Sequence, residues 1–137
     1  MNHYTNAEEM HRSAKHSLSG GFCRPAIIQA TLAIELYLKS ILERIDPNNV
    51  LGNSHDVINI AKTVQKKYPT SKDLSEAIKM SKKYFTESRY PGDPAMYTND
   101  FAKRFISYAD LVKSYVDEDC ATTLQELADK LSKKKGI

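Results

Sequence analysis

Cysteine is scarce: Cys23 and Cys120 stand 97 positions apart and form no metal or redox spacing. That excludes a disulfide scaffold and suits a reducing cytosol, so a cytoplasmic location is expected. No HExxH, no CxxC and no acidic constellation occurs, and His11 and His16, five apart, share no helix face on which to chelate a metal. No glycine-rich phosphate loop is present, because Gly20-Gly21 lacks the strand-and-helix context such a loop needs. No bound cofactor is therefore expected. Long apolar runs are missing too. The N-terminus MNHYTNAEEMHRSAKH is too polar for a signal peptide, and the stretch from Ala30 to Leu42 is broken by Glu35 and Lys39, so no membrane span is expected. Strand alternation, internal repeats and low-complexity tracts are absent, apart from a lysine run at the tail.

What is present is an ordinary globular composition of 137 residues, 41% of them apolar and 27% charged. This is long enough to bury one hydrophobic core, and residues 1–137 are expected to form one domain. The formal net charge of +3 allows an anionic ligand without demanding one.

Helical periodicity dominates. Thr5 and Glu8 read as a capping box for a first helix with Ala7, Met10, Ala14 and Leu18 on one stripe, ended by Gly20-Gly21. A second helix opens near Pro25 and runs to about Ile45, before Pro47. Ser54 can cap a third, from His55 to Tyr68, with Val57, Ala61, Val64 and Tyr68 inward. Thr70 and Asp73 read as the cap of a fourth, carrying Leu74, Ile78, Ser81 and Phe85. Thr86 to Tyr97, with Pro91-Gly92, is a structured loop. A fifth helix starts at Thr98 with the stripe Phe101, Phe105, Tyr108, Val112 and Tyr115, and Thr122 opens a short last one. The expected fold is all-α: an antiparallel up-and-down helical bundle of about five helices plus a short C-terminal helix.

The second helix is apolar around most of its circumference: Ile27, Ile34, Leu38, Ile41 and Ile45 form the stripe, and Ile28, Leu32 and Leu42 widen it. Only Gln29, Ser40, Glu43 and Arg44 fall on a solvated arc. Such a helix is central or lies under a partner, and a homodimer through its apolar flank is one expectation. Glu35 and Lys39 then sit among aliphatics, where charges persist only if paired.

In these fragments the chain resembles the HEPN family of small helical domains. The likeness rests on the phrase RPAIIQATLAIELYLKSIL with Ala33, Glu35 and Lys39, on His55-Asp56, and on Arg89-Tyr90-Pro91, in that order across about residues 7–116; residues 117–137 fall outside it. The resemblance implies a bundle that commonly dimerises, many of whose relatives act as metal-independent RNases, often as toxins, while others pair with minimal nucleotidyltransferases or bind nucleotides. The RNase branch needs an arginine followed by a spacer and a histidine, so that imidazole moves protons while guanidinium holds phosphate. Here all four histidines precede Arg89, so that activity does not carry over.

The expected ligand site comprises Arg89, Tyr90, Glu35, Lys39, His55 and Asp56. Arg89 is placed to grip phosphate in bidentate fashion, and Tyr90 to stack on a base. The bland alternatives are a structural Glu35–Lys39 pair, His55 and Asp56 as helix-end residues, and Arg89 pinning its loop to a carboxylate. The function expected is a non-catalytic module binding a nucleotide or RNA, beside a separate partner such as a nucleotidyltransferase. A structural or adaptor homodimer is the alternative, and an RNase with a displaced catalytic pair ranks last.

Overall fold

The architecture was obtained as a computed structural model, and residues 3–46, 56–87 and 98–120 are described. They form α1 (His3–Ser19), α2 (Cys23–Ile45), α3 (Val57–Lys67), α4 (Ser75–Glu87) and α5 (Asn99–Ser114), the last running into a π-helical turn, Tyr115–Asp119. Among the described residues there is no strand. The fold is an all-α helical bundle, as the periodicity requires.

α2 is its axis. It packs on α1, α3, α4, α5 and the π turn. Ile27, Ala30, Ile34, Leu38 and Ile41 are fully buried along it, as are Ala26, Ala33 and Tyr37 on the flank. This packing accounts for the apolar circumference within one chain. By length and composition α2 would also pass for a membrane span, yet 67% of that window is buried inside the bundle. Ser40, expected on a solvated arc, is buried, its hydroxyl donating to the Tyr37 carbonyl at 2.6 Å; Glu43 and Arg44 are exposed as expected.

α1 and α2 form an antiparallel hairpin. The Phe22 N–H returns to the Ser17 carbonyl at 2.8 Å and the Gly21 N–H to that of Leu18 at 2.9 Å, with Gly21 at φ +82°. This is a Schellman end, and its left-handed residue is one that glycine occupies without a Cβ penalty.

Three starts differ from the sequence reading. α1 already includes His3 and Tyr4, ahead of the expected Thr5 cap, and Tyr4 has tertiary partners, its hydroxyl donating to Asp117 at 2.6 Å and its ring meeting Tyr37. α3 is capped by Asp56, whose carboxylate accepts from the Ile58 and Asn59 N–H groups, rather than by Ser54. α4 opens at Ser75, not Thr70. Asp73 accepts from the Ser75 backbone and hydroxyl, while the Thr70 hydroxyl donates to Asp119 at 2.6 Å. α5 starts where expected, with Thr98 as its cap, accepting from the Phe101 N–H. Its face joins Tyr84 of α4 in an aromatic cluster, Phe105 lying 5.4 Å from Tyr84 and 5.5 Å from Tyr108 between ring centroids. Thr86 and Glu87, expected to open the loop, continue α4; the rest of that loop, 88–97, and the last helix expected from Thr122 lie outside the described residues.

The π turn was not anticipated. The Cys120 N–H reaches back five residues to the Tyr115 carbonyl at 3.2 Å, and the Tyr115 hydroxyl donates to the Tyr68 carbonyl at 2.7 Å. The widened turn aims Asp117 at α1 and Asp119 at the α3–α4 link, where Lys72 meets Asp119 at 3.0 Å and Glu118 at 2.8 Å.

Candidate functional site

Two polar constellations interrupt the apolar surface of α2. The first was anticipated. Glu35 and Lys39, one turn apart, pair at 3.2 Å between Nζ and Oε2 with side chains only 6% and 8% exposed. Glu43 continues the ladder a turn further on, and the His3 imidazole lies against its carboxylate. Burial, and then the Lys39 charge, hold the His3 pKa below that of a free imidazole, so His3 faces the pair as a neutral ring.

Asp56 sits apart from the pair, at the N-terminus of α3. Besides its two backbone donors it accepts from the Asn59 amide at 3.0 Å and meets Lys82 at 3.4 Å. Desolvation pushes its carboxyl up, but the Asn59 N–H, the Lys82 charge and the Ile58 N–H together hold it below the usual carboxylate range. Asp56 is thus a cap and an ion-pair partner. His55, Arg89 and Tyr90 lie outside the described residues. Of the six expected site residues, the structure brings Glu35 and Lys39 into contact and places Asp56 at its cap.

The second constellation escaped the sequence. His11, 4% exposed, shares a stripe with Ala7 and Ala14 of α1. Its Nε2 lies 2.7 Å from Asp110 Oδ1 of α5, and its Nδ1 2.8 Å from the Tyr37 hydroxyl of α2. A carboxylate only accepts, so Nε2 carries the proton toward Asp110, and Nδ1 accepts from Tyr37. Burial lowers the His11 pKa against the raising pull of Asp110, with Lys15 and Lys113 adding to the lowering; burial likewise raises that of Tyr37. At neutral pH the chain is therefore Tyr37–OH, neutral imidazole, carboxylate.

This chain floors a cleft of about 290 Å³ between α1 and α5. On its walls Lys15 pairs with Asp110 at 3.3 Å and Lys113 with Asp117 at 2.6 Å, Lys113 also donating to Tyr4 at 3.1 Å. The Lys113 pKa is raised, first by Asp117 and then by Tyr4. The wall charges thus largely neutralise one another. A histidine in register with two buried alanines was the available signal, since such a residue demands partners; neither partner's identity was readable. Among the described residues no group of three or more His, Cys, Asp or Glu could hold a metal ion.

The HEPN domain family matches this chain over residues 2–119. Comparison with curated proteins finds no match, and comparison with solved structures finds none either.

Proposed function

The chain belongs to the HEPN domain family, and from that premise we propose that it is a non-catalytic binding module whose ligand carries phosphate, a nucleotide or a strand of nucleic acid. Any chemistry on that ligand then belongs to a separate chain, a nucleotidyltransferase being the class the family pairs with.

The observation that supports this reading is the Glu35–Lys39 pair. Withdrawing two charges from water costs several kcal/mol per ion, and replacing such a pair with apolar side chains of similar volume is often neutral or stabilising. Packing alone gives no reason for a charged step in the most apolar of the described helices. Departures from a local rule of this kind concentrate at functional sites. Lys39 supplies an ammonium that desolvation makes a stronger anion partner, Glu35 holds it in place, and Arg89 would add a guanidinium suited to phosphate. The missing Arg-spacer-His pairing is the reason for proposing binding without cleavage.

Thermal unfolding of the wild type, Arg89→Ala and the double variant Glu35→Leu/Lys39→Met tests this with ATP, GTP and NAD. A nucleotide at about 100 times its dissociation constant adds about 2.7 kcal/mol. For a chain of this length that raises the midpoint by roughly 5 °C or more. The wild type should rise; both variants should fold and not rise. A double variant that responds like the wild type makes the pair structural, and a wild type unmoved by every nucleotide overturns nucleotide binding.

A further inference from the structure

Charge is distributed unevenly over this protein. Between Val57 and Glu87, seven lysines stand against Asp73, Glu76 and Glu87, a net of +4. From Thr98 to Cys120, three basic residues stand against five acidic ones, a net of −2. The +3 of the whole chain hides this separation.

Helical geometry puts the excess on one side. α3 buries Val57, Ile60, Ala61 and Val64, leaving Lys62 and Lys66, one turn apart, exposed on the opposite side. α4 buries Ala77, Ile78, Ser81 and Tyr84, leaving Lys79 and Lys83, again one turn apart, exposed away from the core. The two helices pack on each other and both on α2, so their outer faces adjoin. Lys82, at the edge, is held by Asp56 at 3.4 Å. Elsewhere Lys15, Lys39 and Lys113 each hold a carboxylate within 3.3 Å. Among the described residues Lys62, Lys66 and Lys79 make no ion pair, and Lys83 meets only the Tyr84 ring, 5.4 Å from its centroid.

We propose that the adjoining outer faces of α3 and α4 form a docking surface for the phosphodiester backbone of single-stranded nucleic acid, with Lys62, Lys66, Lys79 and Lys83 as its contacts. The choice of nucleic acid among polyanions rests on the function proposed above; the surface itself rests on charge and geometry alone. Lysines one turn apart sit about 5–6 Å from each other, and neighbouring helices about 8–10 Å, so flexible stems can bring four ammonium groups to successive phosphates. Ammonium groups meet phosphate as point charges and read no base edges, so binding is independent of sequence and carried by counterion release.

Fluorescence anisotropy with a labelled oligouridylate of about 20 nucleotides, longer than a typical single-strand binding site, measures this through its salt dependence. Four phosphate contacts give a log–log slope of about −2.8, a loss of about 50-fold in affinity between 50 and 200 mM salt. Lys62→Gln/Lys66→Gln should flatten the slope to about −1.4, a loss of about 7-fold over the same range. Arg12→Gln/Lys15→Gln removes the same charge from α1 and should leave the slope unchanged. Equal flattening by both double variants reduces the effect to net charge and overturns the surface. No binding of the oligouridylate overturns it outright. Equal binding of a polyglutamate of matched charge shows a surface reading acidity, as an acidic protein partner would exploit, and overturns the commitment to nucleic acid. A mononucleotide response lost in the Glu35/Lys39 double variant leaves this result untouched, so the two proposals fail separately.

Discussion

Lowering the pH from 7.5 to 5.5 should destabilise this protein through His11. The imidazole is 4% exposed and bonded at both nitrogens. Burial depresses its pKa; Asp110 of α5 opposes that, Lys15 of α1 and Lys113 of α5 reinforce it, and Tyr37 of α2 is un-ionised. A depressed histidine pKa means that the unfolded chain binds the proton first, near its ordinary value of 6.5. Stability is therefore intact above pH 6.5 and falls as the pH drops below it, until the folded pKa is reached. The loss at pH 5.5 is at most about 1.4 kcal/mol, the most a single site can give over this range. At roughly 0.3 kcal/mol per kelvin of unfolding entropy for this length, the midpoint drops by at most about 5 °C. His3 is shifted the same way, so the comparison must be with His11→Gln, which keeps a polar side chain and removes only this titration. Urea unfolding at both pH values should show the wild type losing up to about 1.4 kcal/mol more than the variant. Equal losses would refute the argument. A wild type that gains stability on acidification would show that Asp110 outweighs burial and holds an imidazolium.

Asp56→Ala removes the acceptor for the Ile58 and Asn59 N–H groups at the start of α3 and should lower the thermal midpoint by roughly 2–4 °C, while Asp56→Asn, which still caps, largely restores it. Gly21→Ala forces a Cβ into a residue at φ +82° and should cost about 1 kcal/mol in urea unfolding, with the α1–α2 hairpin otherwise unobstructed, since nothing lies within 4 Å of the added carbon.

Legibility in the sequence followed locality. The start of α5 near Thr98, the extent of α2 and the Gly20-Gly21 end were readable because each is fixed by residues within one or two turns. The Glu35–Lys39 pair was readable because both members lie on one helix at a spacing of four. Starts went astray where a distant partner claimed the local signal: Thr70 reads as a cap, but its hydroxyl belongs to Asp119, 49 residues away. Tyr4, ahead of the Thr5 cap expected to open α1, likewise bonds to Asp117, 113 residues on. The chain from Asp110 through His11 to Tyr37 spans separations of 99 and 26 residues, and no periodicity encodes such pairings.

That chain also bears on why an apolar bundle adopts one register. Ala7 and Ala14 of α1 lie fully buried, as do Ala26, Ala30 and Ala33 of α2, the helix α1 packs on. A shift of α1 by one turn, about 5.4 Å, would disturb that packing. It would also break the bonds of His11 to Tyr37 at 2.8 Å and to Asp110 at 2.7 Å. Each buried polar group left unmatched costs about 1–3 kcal/mol. The Tyr37 hydroxyl is held inside the core, and an imidazole bonded at both nitrogens fits between α2 and α5 at one height. The apolar faces hold the three helices together, the Schellman end ties α1 to α2, and the bonds of His11 to Tyr37 and Asp110 add a fixed height to their register.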